Sequence, residues 1–336
     1  MKKYLISEKG NFYKANLHSH TTISDGQMTP EQLKDAYKSK GYSIVAYTDH
    51  DVFIKHNDLT DDTFLALNGY EVEIREPWEK GLPMQTSKNC HICFVALTPE
   101  QDKQVCVHRT EYLIGNGAKY IDKINFDKSL PDYVRHYTPE CINDMMQKAK
   151  DAGFFVTYNH PTWSGEEYVD YINYKNMDAM EIYNHECILV GADEYNPRVY
   201  DDLLRSGKKL FCISTDDVHA PVAVGGGFIM IKAEKLEYKT ITDAIVKGDF
   251  YASTGPEIKE LYIEDGVITI KTSPAKIIAL STNARRLDKA RGDNGDFVTQ
   301  ASFKVFPYDK YIRITVTDEN GKHANTNAYF IEDLLK

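Results

Sequence analysis

Nine side chains with metal-binding chemistry stand at one kind of place in this sequence, in or just after an apolar run: His18, His20, Asp25, His50, Glu71, His91, His160, Asp217 and His219. The first pair sets the pattern. Tyr13, Ala15 and Leu17 alternate as a strand that stops at His18-Ser19-His20. Residues i and i+2 of an extended chain share a face, so both imidazoles can reach one point. Imidazoles and carboxylates without thiolates suit zinc, manganese or iron better than calcium or magnesium. Nine donors exceed what one ion accepts, so two or three divalent transition-metal ions bridged by carboxylates are expected. Such ions lower the pKa of a bridging water toward neutrality and neutralise charge on phosphate oxygens.

The intervening segments read as the elements that position these donors. Thr29-Pro30-Glu31-Gln32 opens a helix with a capping box and ends at Gly41. Ser43 to Thr48 is a continuous apolar strand of the buried parallel kind, stopping at Asp49-His50. Glu71 and Glu73 share one strand face, and Asn89 to Leu97 is a further buried strand containing His91. Thr138-Pro139 begins a second helix, then Phe154 to Tyr158 runs into Asn159-His160-Pro161. Met180 to His185 and Leu210 to Ser214 are two more strands, the latter ending in Asp216-Asp217-Val218-His219, with a helix from Asn196 to Ser206 between them. About seven strands alternating with helices, polar at their C-terminal ends, predict an α/β fold with a parallel barrel whose mouth gathers the donors. From Thr98 to about Thr138 the pattern dissolves, and a lid over the site is expected there. After residue 255 short alternating segments separated by turns such as Glu264-Asp265-Gly266 predict a small antiparallel β-sandwich-like domain. The expected domains are thus 1–255 and 256–336.

Composition narrows the partners. The 336 residues carry a net charge of −10 and no basic run, which argues against a nucleic-acid polymer. No segment approaches a membrane span, and Tyr4-Leu5-Ile6 is too short for a signal core, so a cytoplasmic protein is expected. The six cysteines form no paired framework. Cys90 and Cys93 lie three apart in a strand and face opposite sides, which argues against a cysteine-ligated zinc. Nothing in the sequence fixes an oligomeric state.

His18-Ser-His20, Ser24-Asp25-Gly26, Thr48-Asp49-His50, Gly69-Tyr-Glu71, Asn159-His160-Pro161 and Asp217-Val-His219 together resemble the successive motifs of the PHP (polymerase and histidinol phosphatase) family, over roughly residues 10 to 235. Tyr251 to Pro256 and the following β segments are similar, more weakly, to bacterial two-domain members. The resemblance implies a distorted seven-stranded β/α barrel with up to three metal ions. It implies a first ion on His18, His20, Glu71 and Asp217, a second on Glu71, His91 and His160, and a third on Asp25, His50 and His219. Glu73 in place of Glu71 and Asp216 in place of Asp217 stay open, the Gly-x-Glu and Asp-x-His contexts favouring the named residues. Position 25 is Asp where some relatives carry His.

The reaction expected is hydrolysis of a phosphate ester of a small metabolite, a nucleotide or sugar phosphate. His185 and Asp49 are candidates for an acid or an outer, ligand-orienting role. Arg109, Arg135 and Arg198 are the arginines that would bind phosphate beyond the metals, a solvated surface position being the alternative for each. Trp163 is placed to stack on a base or sugar, with packing as the other explanation. An amidohydrolase-like hydrolase and a non-catalytic metal-binding module are the alternative functions. The first lacks the lysine such sites often use, and the second is expected to have lost ligands.

Overall fold

The computed structural model describes residues 2–77 and 82–334. Its strands are β1 (Lys3–Tyr4), β2 (Asn11–Asn16), β3 (Ile44–Tyr47), β4 (Leu65–Arg75), β5 (Asn89–Ala96), β6 (Phe154–Asn159), β7 (Ala179–Asn184), β8 (Phe211–Thr215), β9 (Phe228–Ala233) and β10 (Phe250–Ser253). The C-terminal part adds β11 (Ile258–Glu264), β12 (Val267–Ala275), β13 (Ile277–Thr282), β14 (Leu287–Ala290), β15 (Val298–Lys304), β16 (Tyr311–Thr317), β17 (His323–Thr326) and β18 (Tyr329–Phe330). The helices are α1 (Pro30–Ser39), α2 (Pro139–Asp151), α3 (Tyr168–Tyr171), α4 (His185–Leu189), α5 (Pro197–Arg205), α6 (Tyr238–Lys247) and α7 (Ile331–Leu334).

One large mixed sheet runs in the order β14-β13-β16-β17-β10-β9-β2-β3-β4-β5-β6-β7-β8, with β18 beside β16. The expected all-parallel run is broken in the middle. β2, β3 and β4 are parallel, β5 is antiparallel to both β4 and β6, and β6, β7 and β8 are parallel again. The connection between β4 and β5 carries no α-helix among its described residues, and a parallel crossover usually uses one. Because β5 runs backwards, its N-terminal end meets the C-terminal ends of its neighbours. His91, third in β5, therefore reaches the common mouth. Among the described residues no continuous ladder joins β8 to β2. The bridge Ser19–Val218 ties their ends, with His20 N–H donating to Val218 O and Asp217 N–H to His18 O, both at 3.0 Å.

The helix signals act as their chemistry dictates. Thr29 accepts from Gln32 N–H while Gln32 reaches back to the Thr29 N–H, and Thr138 caps α2 by accepting from Cys141 N–H. The interior face of the large sheet and the buried faces of α2, α5 and α6 share one apolar cluster that includes Leu17, Ile44, Tyr70, Phe94, Met145 and Ile241. The stretch 98–138 is packed, with short 3₁₀ turns, and lays Val107 and Ile124 on Ile23 and Val52 beside the mouth.

Beyond residue 255, two antiparallel layers enclose a second cluster that includes Ile263, Ile270, Leu280 and Ile314. One layer is β1-β11-β12-β15; the other is the far end of the large sheet. The expected boundary at 255/256 is crossed twice. β1 pairs with β11, and β17 pairs with β10, so the chain's start and the large sheet both continue into the later layers. Among the described residues no helix is long and apolar enough to cross a membrane.

Candidate metal centre

All nine donors come to one place at the mouth. His18 and His20 follow β2, and their segment is fixed by Ser19, whose Oγ donates to Ala46 O at 2.6 Å and whose N–H donates to Thr48 Oγ1 at 2.9 Å. Asp25 arrives on the turn after them. His50 follows β3 and bridges to Glu71 on β4. Glu73 stands opposite His91 in the β4–β5 register. His160 and Asp217 follow β6 and β8 in left-handed backbone conformations, φ 26° and 53°, as does Asp51 at 56°. Such conformations hold only where surrounding structure over-determines them, and they cluster at functional sites.

The donor atoms lie at ligand spacing. His18 Nε2 is 3.1 Å from His20 Nε2, 3.1 Å from Glu71 Oε1 and 3.1 Å from Asp217 Oδ1. His20 Nε2 is 3.0 Å from Asp217 Oδ1, and Glu71 Oε1 lies 3.2 Å from His91 Nδ1 and 3.6 Å from His160 Nε2. Asp25 Oδ2 is 3.6 Å from His219 Nε2 and 3.8 Å from His50 Nε2. Two atoms each about 2.1 Å from one ion lie no more than about 4.2 Å apart, so these contacts fit shared cations. Among the described residues the tight groups are four: His18, His20, Glu71, Asp217; His20, Asp25, His50, His219; His50, Glu71, His91; and His18, His160, Glu181. The first is the set the resemblance names first; in the second and third His20 and His50 are shared more widely than it implies. The buried atoms His20 Nδ1, His50 Nδ1, His91 Nδ1 and Asp217 Oδ1 make no hydrogen bond. Four orphaned ligand atoms at one mouth are costly without metal and would be satisfied by bound ions.

Charge tells the same story. Burial opposes protonation of His20, yet Asp217 and Glu71 outweigh it and raise the imidazole to about 10; Glu71 and Glu73 do the same for His91. Burial and the neighbouring His20 push His50 down to about 3. Burial works against charge on Glu71 and Asp217 too, but the surrounding imidazoles hold both carboxyls well below the usual range. Without metal, protons on histidine balance the carboxylates, and divalent cations would take their place.

The cavity over this cluster is about 430 Å³ and is lined also by Glu73, Arg75, Asn89, Ile114, Trp163, Glu186, Cys187 and Val190. Trp163 stands edge-on to His160 and His91, ring centroids 5.1 and 5.5 Å apart. The other expected substrate and acid groups go elsewhere. Arg109 binds Asp132 at 2.5 Å and the Leu130 carbonyl at 2.9 Å, within the 98–138 stretch. Arg198 pairs with Asp202 on the exposed surface of α5. Arg135 is buried behind β4, donating to Asp51 and to Glu73 O, where it fixes the backbone next to His50. His185 stacks on Tyr183, takes its hydroxyl at Nδ1 at 2.8 Å, and packs against Gly226, where a Cβ would approach its ring to 2.0 Å. Asp49 is buried under the turn after His20, accepting from Thr21 N–H and Ser24 Oγ, both at 2.7 Å. Sequence periodicity does not distinguish a strand-end residue that faces the mouth from one that braces it.

Glu181 is the residue the sequence reading passed over. It accepts from His18 Nδ1 at 2.7 Å, His160 N–H at 3.0 Å, Thr215 Oγ1 at 2.6 Å and Asn184 Nδ2 at 2.9 Å. That contact assigns the Nδ1–H tautomer to His18 and turns Nε2 toward the centre. Its signal was present: a carboxylate inside the otherwise apolar Met180-Glu181-Ile182 run. Glu186 also reaches the cavity, its Oε2 buried without a hydrogen-bond partner. Asp216, the open alternative to Asp217, instead accepts the N–H groups of Gly225, Gly226 and Gly227 at 2.6 to 2.9 Å.

No protein-family model matches the sequence, and no curated protein matches it. Among solved structures the chain is similar to a two-domain protein from Bacteroides vulgatus containing a predicted PHP-like metal-dependent phosphoesterase, 16% identical over 97% of each chain with a TM-score of 0.44. It is also similar to an amidohydrolase from Chromobacterium violaceum, 16% identical over 62% of this chain and 88% of that one, TM-score 0.37. A third is the lesion-specific endonuclease from Pyrococcus furiosus, 15% identical over 70% of this chain and 56% of that one, TM-score 0.41.

Proposed function

We propose that this protein is a metal-dependent phosphoesterase that hydrolyses a small phosphorylated metabolite, a nucleotide or sugar phosphate. The observation that carries the reading is the convergence of nine imidazoles and carboxylates, four of them with orphaned buried atoms and seven of them lining one cavity. His18, His20, Glu71 and Asp217 would hold one divalent ion; Glu71 with His91 and His160, and Asp25 with His50 and His219, would hold the others. Bound zinc, manganese or iron supplies a Lewis acid and an acidified water at neutral pH.

The chain's own residues do the positioning. Glu181 fixes His18, and Asn159 Nδ2 donates to Glu71 Oε1 at 2.8 Å, leaving Oε2 toward His20 and His50. Asn184 Nδ2 holds Asp217 Oδ2 at 3.1 Å, and Ser164 lies 3.2 Å from His160 Nδ1. These bonds aim each donor before a ligand arrives, which lowers the reorganisation needed during reaction. A cavity of about 430 Å³ in a chain of net charge −10 suits a small molecule rather than a polymer. No lysine lines it among the described residues, which speaks against the amidohydrolase alternative. The layers after residue 255 are read as an accessory β-sandwich-like unit, and the location as cytoplasmic.

Elemental analysis of tag-free protein purified without chelator tests the reading, alongside His160→Ala. Two or three equivalents of zinc, manganese or iron, falling by about one in the variant, are expected. Metal-loaded protein should then release inorganic phosphate from a panel of phosphate monoesters. Less than one equivalent that added metal does not restore would sink the proposal.

A further inference from the structure

We infer that the alcohol half of the substrate carries a planar ring, and that Trp163 is the surface on which the ring stacks. The inference rests on the phosphoesterase reading and selects, within it, nucleotide-like esters over plain sugar phosphates. Trp163 is 46% exposed although it lines the cavity, so burial of its own surface is not what holds it there. The indole stands one ring beyond the donor cluster, edge-on to His160 and His91. An ester whose phosphate meets those donors places its alcohol half beside this indole.

The loop that carries Trp163 is held from both sides. Glu194, fully buried, accepts the Thr162 N–H at 3.1 Å and the Trp163 N–H at 2.6 Å. Glu166, also buried, closes the loop by accepting the hydroxyls of Tyr137 at 2.9 Å, Tyr158 at 2.7 Å and Tyr174. Gly165 takes φ 69° to make the turn, and the Ser164 N–H donates to His160 O at 3.1 Å. Two buried carboxylates spent on an exposed tryptophan make an aromatic surface preorganised for a ligand, which reduces the ordering entropy of binding. The remaining non-polar lining, Ile114, Cys187 and Val190, belongs to the same cavity. Ile114 is delivered by the 98–138 stretch, whose Asn116 donates to Ser24 O at 2.7 Å and to Thr22 O at 3.1 Å. A ring entering the cavity thus meets the indole and this apolar surface. Stacking on an aromatic side chain tolerates any flat ring.

Adenosine 5′-phosphate and ribose 5-phosphate test this cleanly, because they share the ester and its alkoxide and differ by the ring. For the metal-loaded protein we expect kcat/KM to favour adenosine 5′-phosphate by about tenfold or more, the preference falling to near unity in Trp163→Ala and persisting in Trp163→Phe. A second readout needs no hydrolysis. The sequence has two tryptophans, Trp78 and Trp163. In a Trp78→Phe background, adenosine should quench the remaining fluorescence saturably and ribose should not. Quenching without turnover of either ester would support the ring subsite and sink the phosphoesterase reading. Turnover of both esters at equal rates, unchanged by Trp163→Ala and without quenching, would overturn the ring and leave the phosphoesterase standing.

Discussion

At the mouth of the large sheet, imidazoles and carboxylates are buried against one another with atoms left unpaired; at the junction of α5 with β16 the polar groups are saturated. There Asp201 receives both Nε and an Nη of Arg313 at 2.8 Å and the Tyr311 hydroxyl at 3.1 Å. The backbone differs in the same sense. His160, Asp217 and Asp51 adopt positive φ at the mouth, whereas after residue 255 positive φ outside glycine occurs at Asp265 and Lys310 in turns. One region keeps strain and unmet bonding capacity in store for a ligand, and the other ties Asp201 on α5 to β16 through three hydrogen bonds. The contrast separates residues whose loss should silence the site from residues whose loss should unfold the chain.

The largest effect should come from the mouth itself. Asp217→Asn or His20→Ala is expected to remove at least one metal equivalent and lower any hydrolysis by more than about a hundredfold. Unchanged metal content in both would break the comparison. The saturated junction should respond the opposite way. Arg313→Ala leaves Asp201 buried and unpaired, so a loss of about 3–5 kcal/mol in urea unfolding is expected, with metal stoichiometry intact in the fraction that folds. Loss of metal at unchanged stability would show that the two regions are not separate in function.

Glu181 sharpens the boundary between them, since it is saturated like the junction yet serves the mouth. Glu181→Gln should weaken metal binding by about 10–100-fold without changing the number of sites, measured by competition with a chelating dye. A full loss of one equivalent would make Glu181 a ligand instead. Proton linkage gives the next test. Asp217 and Glu71 raise His20, and Glu71 and Glu73 raise His91, to about 10, so metal loading is expected to expel protons and affinity to rise between pH 6 and pH 8. Calorimetry in two buffers of unlike ionisation enthalpy would reveal the release, and its absence would refute the charge balance described above.

The smallest effect belongs to His185. Burial, aided by Lys322, lowers its pKa below the ordinary 6.5, so the unfolded chain binds the proton more readily. Stability from this group is present above pH 6.5 and is lost as pH falls through the window beneath it. His185→Gln should therefore flatten the difference in urea midpoint between pH 7.5 and pH 5.5; an unchanged difference would remove His185 from this account.

The sequence by itself determined which chemistry is available and roughly where each element lies. His18 and His20 share a face because a strand has a period of two, and α1 starts at Pro30 because Thr29 and Gln32 can cap it locally. Those are short-range facts, written in neighbouring residues. Tertiary structure alone decided direction and facing. The backward run of β5 puts His91 at the mouth, and it follows from how β4 and β6 pair with it rather than from its own residues. The same holds for two of the arginines and for Glu181. Arg109 and Arg135 read alike in sequence, yet Asp132 and Asp51 claim them from 23 and 84 residues away, whereas Arg198 pairs with Asp202 one turn along its own helix. Glu181 becomes the brace of His18 only when folding brings β7 across from it. A charged side chain takes its role from the partner that folding brings within about 3 Å, and for Arg109, Arg135 and Glu181 that partner lies far away in the chain.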